Sequence, residues 1–142
     1  MKTCVGGLVT LTLGALTIGV LAGRAQITSQ LDFKMSQSFT VANTTLPAGN
    51  YIVRPFSGEQ VLLEIANAGG EPIVIVEAEP AQPDAAQSGT HLVFNRYKSL
   101  LVLSQIFPGG GNTGYLLVQG HPEKQAAKTE KPTQQTVTAT TK

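Results

Sequence analysis

From Phe39 onward the apolar side chains recur at every second position, and the breaks between runs are Gly, Pro and Asn, which is the pattern of strands and turns. The first strand expected is Ser38–Ala42, with Phe39 and Val41 on one face. A turn over Asn43–Pro47 leads through Ala48 and Gly49 into Asn50–Phe56, where Tyr51 and Val53 share one side and Ile52 and Arg54 the other. Ser57 and Gly58 turn the chain into Gln60–Asn67, with Val61, Leu63 and Ile65 opposite Leu62 and Glu64. Ala68, Gly69 and Gly70 turn it back into Pro72–Glu77. The unbroken run Ile73, Val74, Ile75, Val76 is what a strand covered on both faces carries.

Ala78–Gly89 holds Pro80, Pro83 and several Ala and Gln without periodicity, so an exposed loop is expected there. Thr90–Tyr97, Ser99–Phe107 and Gly114–Gln119 read as three more strands, the last two joined by the glycine-rich loop Pro108–Thr113. About seven short antiparallel strands with regular turn signals predict an all-β domain over 38–121, a β-sandwich or a small barrel. Residues 26–37, with Ile27, Leu31 and Phe33, suit a strand or a single helical turn. Beyond His121 the only large apolar residue is Val137, so 122–142 is expected to be a disordered tail.

The start of the chain follows a different rule. Met1 and Lys2 precede an uncharged apolar run from Val5 to Ala22, and Gly23-Arg24-Ala25 ends in small residues before polar sequence resumes at Gln26. This is the layout of a secretory signal peptide over 1–25, cut after Ala25. A spanning anchor is the weaker reading, because the run is at the lower length limit and Gly and Thr interrupt it between Gly6 and Gly14. A secreted or periplasmic protein is therefore expected. Cys4, the single cysteine, leaves with the leader, so the remaining chain has no disulfide and no thiolate, and no Cys follows the cut to carry a lipid.

Composition excludes further classes. Charged residues are 13% of the chain and the net charge is +1, which implies no polyanion partner and no nucleic acid. Residues 26–121 carry four basic and seven acidic side chains, whereas the tail carries four basic and two acidic ones.

Two histidines, His91 and His121, stand at strand ends and fall short of a metal set, so neither a metal nor another cofactor is expected. Ser104 or Ser88 with His91 and Asp84 would be a hydrolytic triad only in name, since no nucleophile elbow occurs. Glu64 and Glu77, on neighbouring strands, are the one carboxylate pair suited to glycoside cleavage, but each is better matched to Arg54, Arg96 or Lys98. Pro108–Gly114 runs into a strand and not a helix, which removes a phosphate-binding loop. Asn43-Thr44-Thr45 matches a glycosylation acceptor, a pattern that arises often by chance.

Phe39 and Val41 followed by Leu46-Pro47-Ala48-Gly49-Asn50-Tyr51, then Leu92–Tyr97, then Leu103-Ser104-Gln105-Ile106 before Pro108, Gly109 and Gly114, resemble a family of small exported proteins of environmental bacteria with no assigned activity. The resemblance implies an exported β-rich domain and nothing about chemistry.

The function expected is therefore non-catalytic, by binding or structural presence. Tyr51, Tyr97, Phe107 and Tyr115 are the candidate contact residues if they face outward together. An extracellular polymer, an envelope component and another copy of the chain are the partner classes left open. The rival readings are an assembly subunit that lends its 26–42 segment to a neighbour's sheet, and a small hydrolase.

Overall fold

The computed structural model describes residues 30–56, 59–82, 89–109 and 113–142. The signal peptide expected over 1–25, and Asp84 and Ser88 of the triad considered above, lie outside the described residues.

The fold is all-β, with ten strands and one short helix among the described residues: β1 Leu31–Met35, β2 Phe39–Val41, β3 Thr44–Leu46, β4 Gly49–Phe56, β5 Glu59–Asn67, β6 Pro72–Ala81, β7 His91–Arg96, β8 Leu101–Phe107, β9 Gly114–Leu117, α1 His121–Ala126 and β10 Thr133–Thr141. Eight strands pair antiparallel in the order β8-β7-β10-β1-β4-β5-β6-β9, and a β8–β9 pairing closes them into a barrel. The small β2–β3 hairpin attaches to the first half of β8 through a parallel bridge, Thr40 to Val102, while β9 pairs with the second half at Gln105 and Ile106. That hairpin turns on Ala42 and Asn43. Ala42 adopts φ +51°, the sign a two-residue hairpin favours at its first central position, at a cost of about 1 kcal/mol for a residue bearing a Cβ.

The alternation predicted from sequence sorts the side chains. Leu31, Phe33, Val53, Leu63, Ile65, Val76, Leu92, Phe94, Leu103 and Ile106 all join one buried cluster. Its centre is aromatic: Phe39 meets Tyr51, Phe94 and Phe33 edge-on at centroid distances of 5.1, 5.7 and 6.0 Å, and Phe33 lies 5.8 Å from Tyr51. Such rings contribute about 0.5–1.5 kcal/mol per pair beyond their burial. The barrel interior is thus filled with side chains.

Four expectations are corrected. The tail is ordered: 121–126 is helical, and β10 sits in the middle of the sheet, with Thr133–Thr138 against β7 and Ala139–Thr141 against β1. Threonine is β-branched and stiff, and a strand with one wet face needs few apolar residues. Gln135, Val137 and Ala139 are the more buried positions, alternating with exposed threonines. The count of large apolar residues missed this. Second, the described part of the segment considered for a neighbour's sheet pairs within its own chain: Leu31–Met35 is a strand between β10 and β4, and β2 joins β8.

Third, β6 continues to Ala81, with Ala78–Ala81 paired to β9, so the loop begins later than Ala78. Pro80 is tolerated because its missing N–H falls on the β5 side, where the pairing has already ended at Leu62–Glu77. Fourth, the run Ile73–Val76 is covered on one face only: Val76 is buried, whereas Ile73 and Ile75 are 42% and 45% exposed.

Candidate functional site

The four aromatic candidates do not form a displayed row. Tyr51, Tyr97, Phe107 and Tyr115 are all buried, at 3–6% exposure. Tyr51 packs in the aromatic core and donates to the Pro47 carbonyl at 2.5 Å; Tyr115 belongs to the same core cluster. Phe107 is stacked under His91, with centroids 5.0 Å apart. His91 is thereby buried, not solvent-facing as its strand-end position suggested, and its Nδ1 lies 3.1 Å from the Gly89 carbonyl. Burial of Tyr51 pushes its phenol above the ordinary tyrosine value.

Tyr97 leads to a feature the sequence reading missed. Its hydroxyl donates to Glu123 Oε1 at 3.2 Å, and Asn95 Nδ2 donates to the same oxygen at 2.8 Å. Glu123 is 2% exposed, in the stretch expected to be disordered. Burial, and then the adjacent Glu123 carboxylate, hold the Tyr97 phenol above its ordinary value. Gly120 followed by His121, Pro122 and Glu123 is a helix start with Pro and an acid in the first turn, and that signal was present in the sequence. Gly120 is required there: a Cβ would strike the Ala42 carbonyl, so the helix entry rests directly on the β2–β3 turn. The His121 N–H donates to Asn43 Oδ1 at 2.8 Å, a second tie between the two. These contacts fasten α1, and through it the chain leading to β10, onto the barrel wall.

The carboxylates weighed for catalysis are separated by register. Glu64 lies opposite Ile75 and Glu77 opposite Leu62, so the two do not face each other. Glu64 is instead held by Arg54, whose Nε donates to Oε1 at 2.6 Å and whose Nη2 reaches the Gly70 carbonyl at 3.0 Å. No group of three or more His, Cys, Asp or Glu suited to a metal occurs among the described residues.

The surface offers one apolar concentration. Ile73 and Ile75 on β6, Leu116 on β9 and Val118 just beyond it are the large hydrophobic side chains left exposed among the described residues. Leu116 lies opposite Glu79 in the β6–β9 ladder, and the Val118 N–H donates to the Glu77 carbonyl at 3.0 Å. All four therefore lie on the barrel's outer face, beside the exposed carboxylates of Glu77 and Glu79. Neither acid has an ion pair among the described residues, whose two salt bridges are Arg54–Glu64 and Asp32–Lys142. A shallow cleft of about 320 Å³ continues this face toward α1, lined by Glu79, Ser104, Leu116, Val118 and Lys124 among others. Period two in the strands indicated which residues alternate. The exposure of Ile73 and Ile75 could not be read from it, because a continuous apolar run looks the same whether one face is covered or both.

Comparison with protein-family models, with curated proteins and with solved structures gave no match.

Proposed function

We propose that this protein is an exported, non-catalytic β domain that acts by binding, through the outer face formed by Ile73, Ile75, Leu116 and Val118 with Glu77 and Glu79. The observation that carries the reading is the division of apolar side chains. The interior is built around the touching rings of Phe33, Phe39, Tyr51 and Phe94, as expected of a small barrel whose inside is filled by side chains. The large apolar groups left outside gather on adjacent strands instead of being scattered singly, as they are on an inert surface. Export is supported by the leader pattern from Met1 to Ala25 and by a body that uses no cysteine.

The test is to pan a random-peptide display library on the full chain lacking its leader, and in parallel on an Ile75→Ser, Leu116→Ser variant of the same protein. Enrichment on the parent that is lost on the variant is expected. Enrichment equal on both, or on neither, overturns the reading.

A further inference from the structure

The fold sorts the basic side chains in a way that the small net charge hides. Arg54 and Lys142 form the two ion pairs found among the described residues. Arg96, Lys98 and Lys131 have none there, and all three line one open cleft of about 680 Å³. The cleft lies between the β7–β8 turn and the connection from α1 to β10, so it exists only because the end of the chain is ordered. Thr133 pairs with Arg96 in the β7–β10 ladder, which carries Lys131 past the end of β7. The Tyr97 N–H donates to the Leu100 carbonyl at 2.8 Å and closes the turn. The Lys98 N–H donates to Glu130 Oε2 at 2.8 Å and ties that turn to the connection. Arg96 Nη2 donates to Gln37 Oε1 at 2.6 Å, which orients the guanidinium at the cleft.

We propose that this cleft binds an acidic saccharide, a short run of sugar rings bearing carboxylate or sulfate groups. Its three cations share the cleft with one carboxylate, that of Glu130, which already accepts from the Lys98 N–H. The excess of positive charge selects an anion, and the planar fork of Arg96 suits a group bound through two oxygens. Thr129 and Thr133 complete the polar lining, with hydroxyls that both donate and accept as sugar hydroxyls do. Tyr97 is the one ring in the lining. It is buried with its hydroxyl turned to Glu123, so it offers no face on which a nucleobase could stack. The lining holds no aliphatic residue, which argues against a fatty chain. None of these residues belongs to the apolar face of β6 and β9, so the two sites stand or fall separately.

The probe is a trimer of galacturonate, titrated by calorimetry in moderate salt into the full chain lacking its leader. A sulfated galactose trimer, a neutral galactose trimer and inorganic tripolyphosphate are run beside it. Binding of an acidic trimer is expected, the stronger of the two naming the acidic group, and the neutral trimer is expected not to bind. A Lys98→Gln, Lys131→Gln variant is expected to bind about tenfold more weakly. Lys34→Gln, Lys124→Gln removes the same charge elsewhere and is expected to change binding by less than about twofold, because salt screens distant charges. Arg96→Lys keeps the charge but loses the fork, for an expected weakening of about threefold. Glu130→Gln removes the carboxylate from the cleft and is expected to tighten binding about threefold, a gain that loss of folding cannot imitate. No binding of either acidic trimer overturns the proposal. Equal losses in the two double variants overturn it too, as does tripolyphosphate binding as tightly as the trimers, since either result marks a response to charge alone. The binding-face reading is untouched by these outcomes, because it is judged on Ile75 and Leu116.

Discussion

Replacing Glu123 by Ala removes the acceptor shared by the buried Tyr97 hydroxyl and the half-buried Asn95 amide, and the structure sets what that costs. Asn95 Nδ2 at 2.8 Å makes the shorter bond and Tyr97 Oη at 3.2 Å the longer. Each stranded donor costs about 1–3 kcal/mol, and bonds to a charged acceptor lie toward the upper end. Water entering the vacated volume re-solvates part of this, which brings the expected loss to about 2–4 kcal/mol, a large share of a small domain's stability. Tyr97→Phe alone removes the weaker donor and leaves Glu123 held by Asn95, for about 1 kcal/mol. Because the two side chains are in contact, their effects are coupled: Glu123→Ala is expected to cost about 1 kcal/mol less in the Tyr97→Phe background than in the parent. The assay is urea unfolding of the four proteins of this cycle, followed by circular dichroism at fixed pH and salt. A loss below about 0.5 kcal/mol for Glu123→Ala, or strictly additive single effects, would refute the claim that this carboxyl group fastens α1 to β7.

Ending the chain after Lys131 removes β10 and the register it shares with both β1 and β7; at about 0.5–1.5 kcal/mol per lost hydrogen bond the sum is of the same size as typical domain stability, before the opened core is counted. The truncated protein is expected to show no cooperative thermal transition, and an unchanged midpoint would contradict the placement of β10. Gly120→Ala forces a methyl group into the Ala42 carbonyl and should lower stability by about 1–3 kcal/mol, measured by denaturant midpoint. Tyr51 and Tyr97 have phenols raised above their unfolded value near 10, so the neutral ring is favoured in the folded state. Their contribution is complete below the unfolded value and is lost as pH rises through the higher folded value; a Tyr51→Phe, Tyr97→Phe protein should show a flatter loss of stability in that alkaline window. Asp32 is the opposite case, its carboxyl lowered first by the Lys142 hydrogen bond and then by that from Gln30. Stability from it is present above the unfolded value near 3.8 and falls as pH drops through the folded one; Lys142→Ala should remove most of that acid slope, while changing neutral-pH stability by under about 1 kcal/mol because the pair is solvent-exposed.

What the sequence disclosed follows from what period two encodes. It sets Phe39 with Val41, Tyr51 with Val53 and Leu63 with Ile65 on shared faces, and those faces are buried, whereas Phe33 lies in a stretch whose spacing suited a strand or a helical turn. Pairing partners are another matter. Nothing in Thr133–Thr141 states that it lies between β1 and β7, since that depends on an interior built by residues far along the chain. Its threonines also read as solvated tail by composition and as strand by β-branching, and only the neighbours decide between them. The aromatic candidates failed for a related reason: a tyrosine at a strand end is equally suited to display and to a buried hydroxyl with a partner, as at Tyr51 and Tyr97. Glu123 was legible in principle, through Gly120, Pro122 and its first-turn position, but a six-residue helix is too short for periodicity to announce it.

The first and last strands of the described fold are neighbours: Leu31 pairs with Thr141, and the Lys142 N–H donates to the Gln30 carbonyl at 2.9 Å. In chain order β10 follows every other described strand, so the ring cannot close before it is made, and until then a seam stays open between β1 and β7. Ring closure is thereby a late, non-local step, and the delay before it leaves the edges of β1 and β7 unpaired. Joining the ends by a short linker and opening new ones at an outer turn would remove that delay without altering a single contact of the barrel.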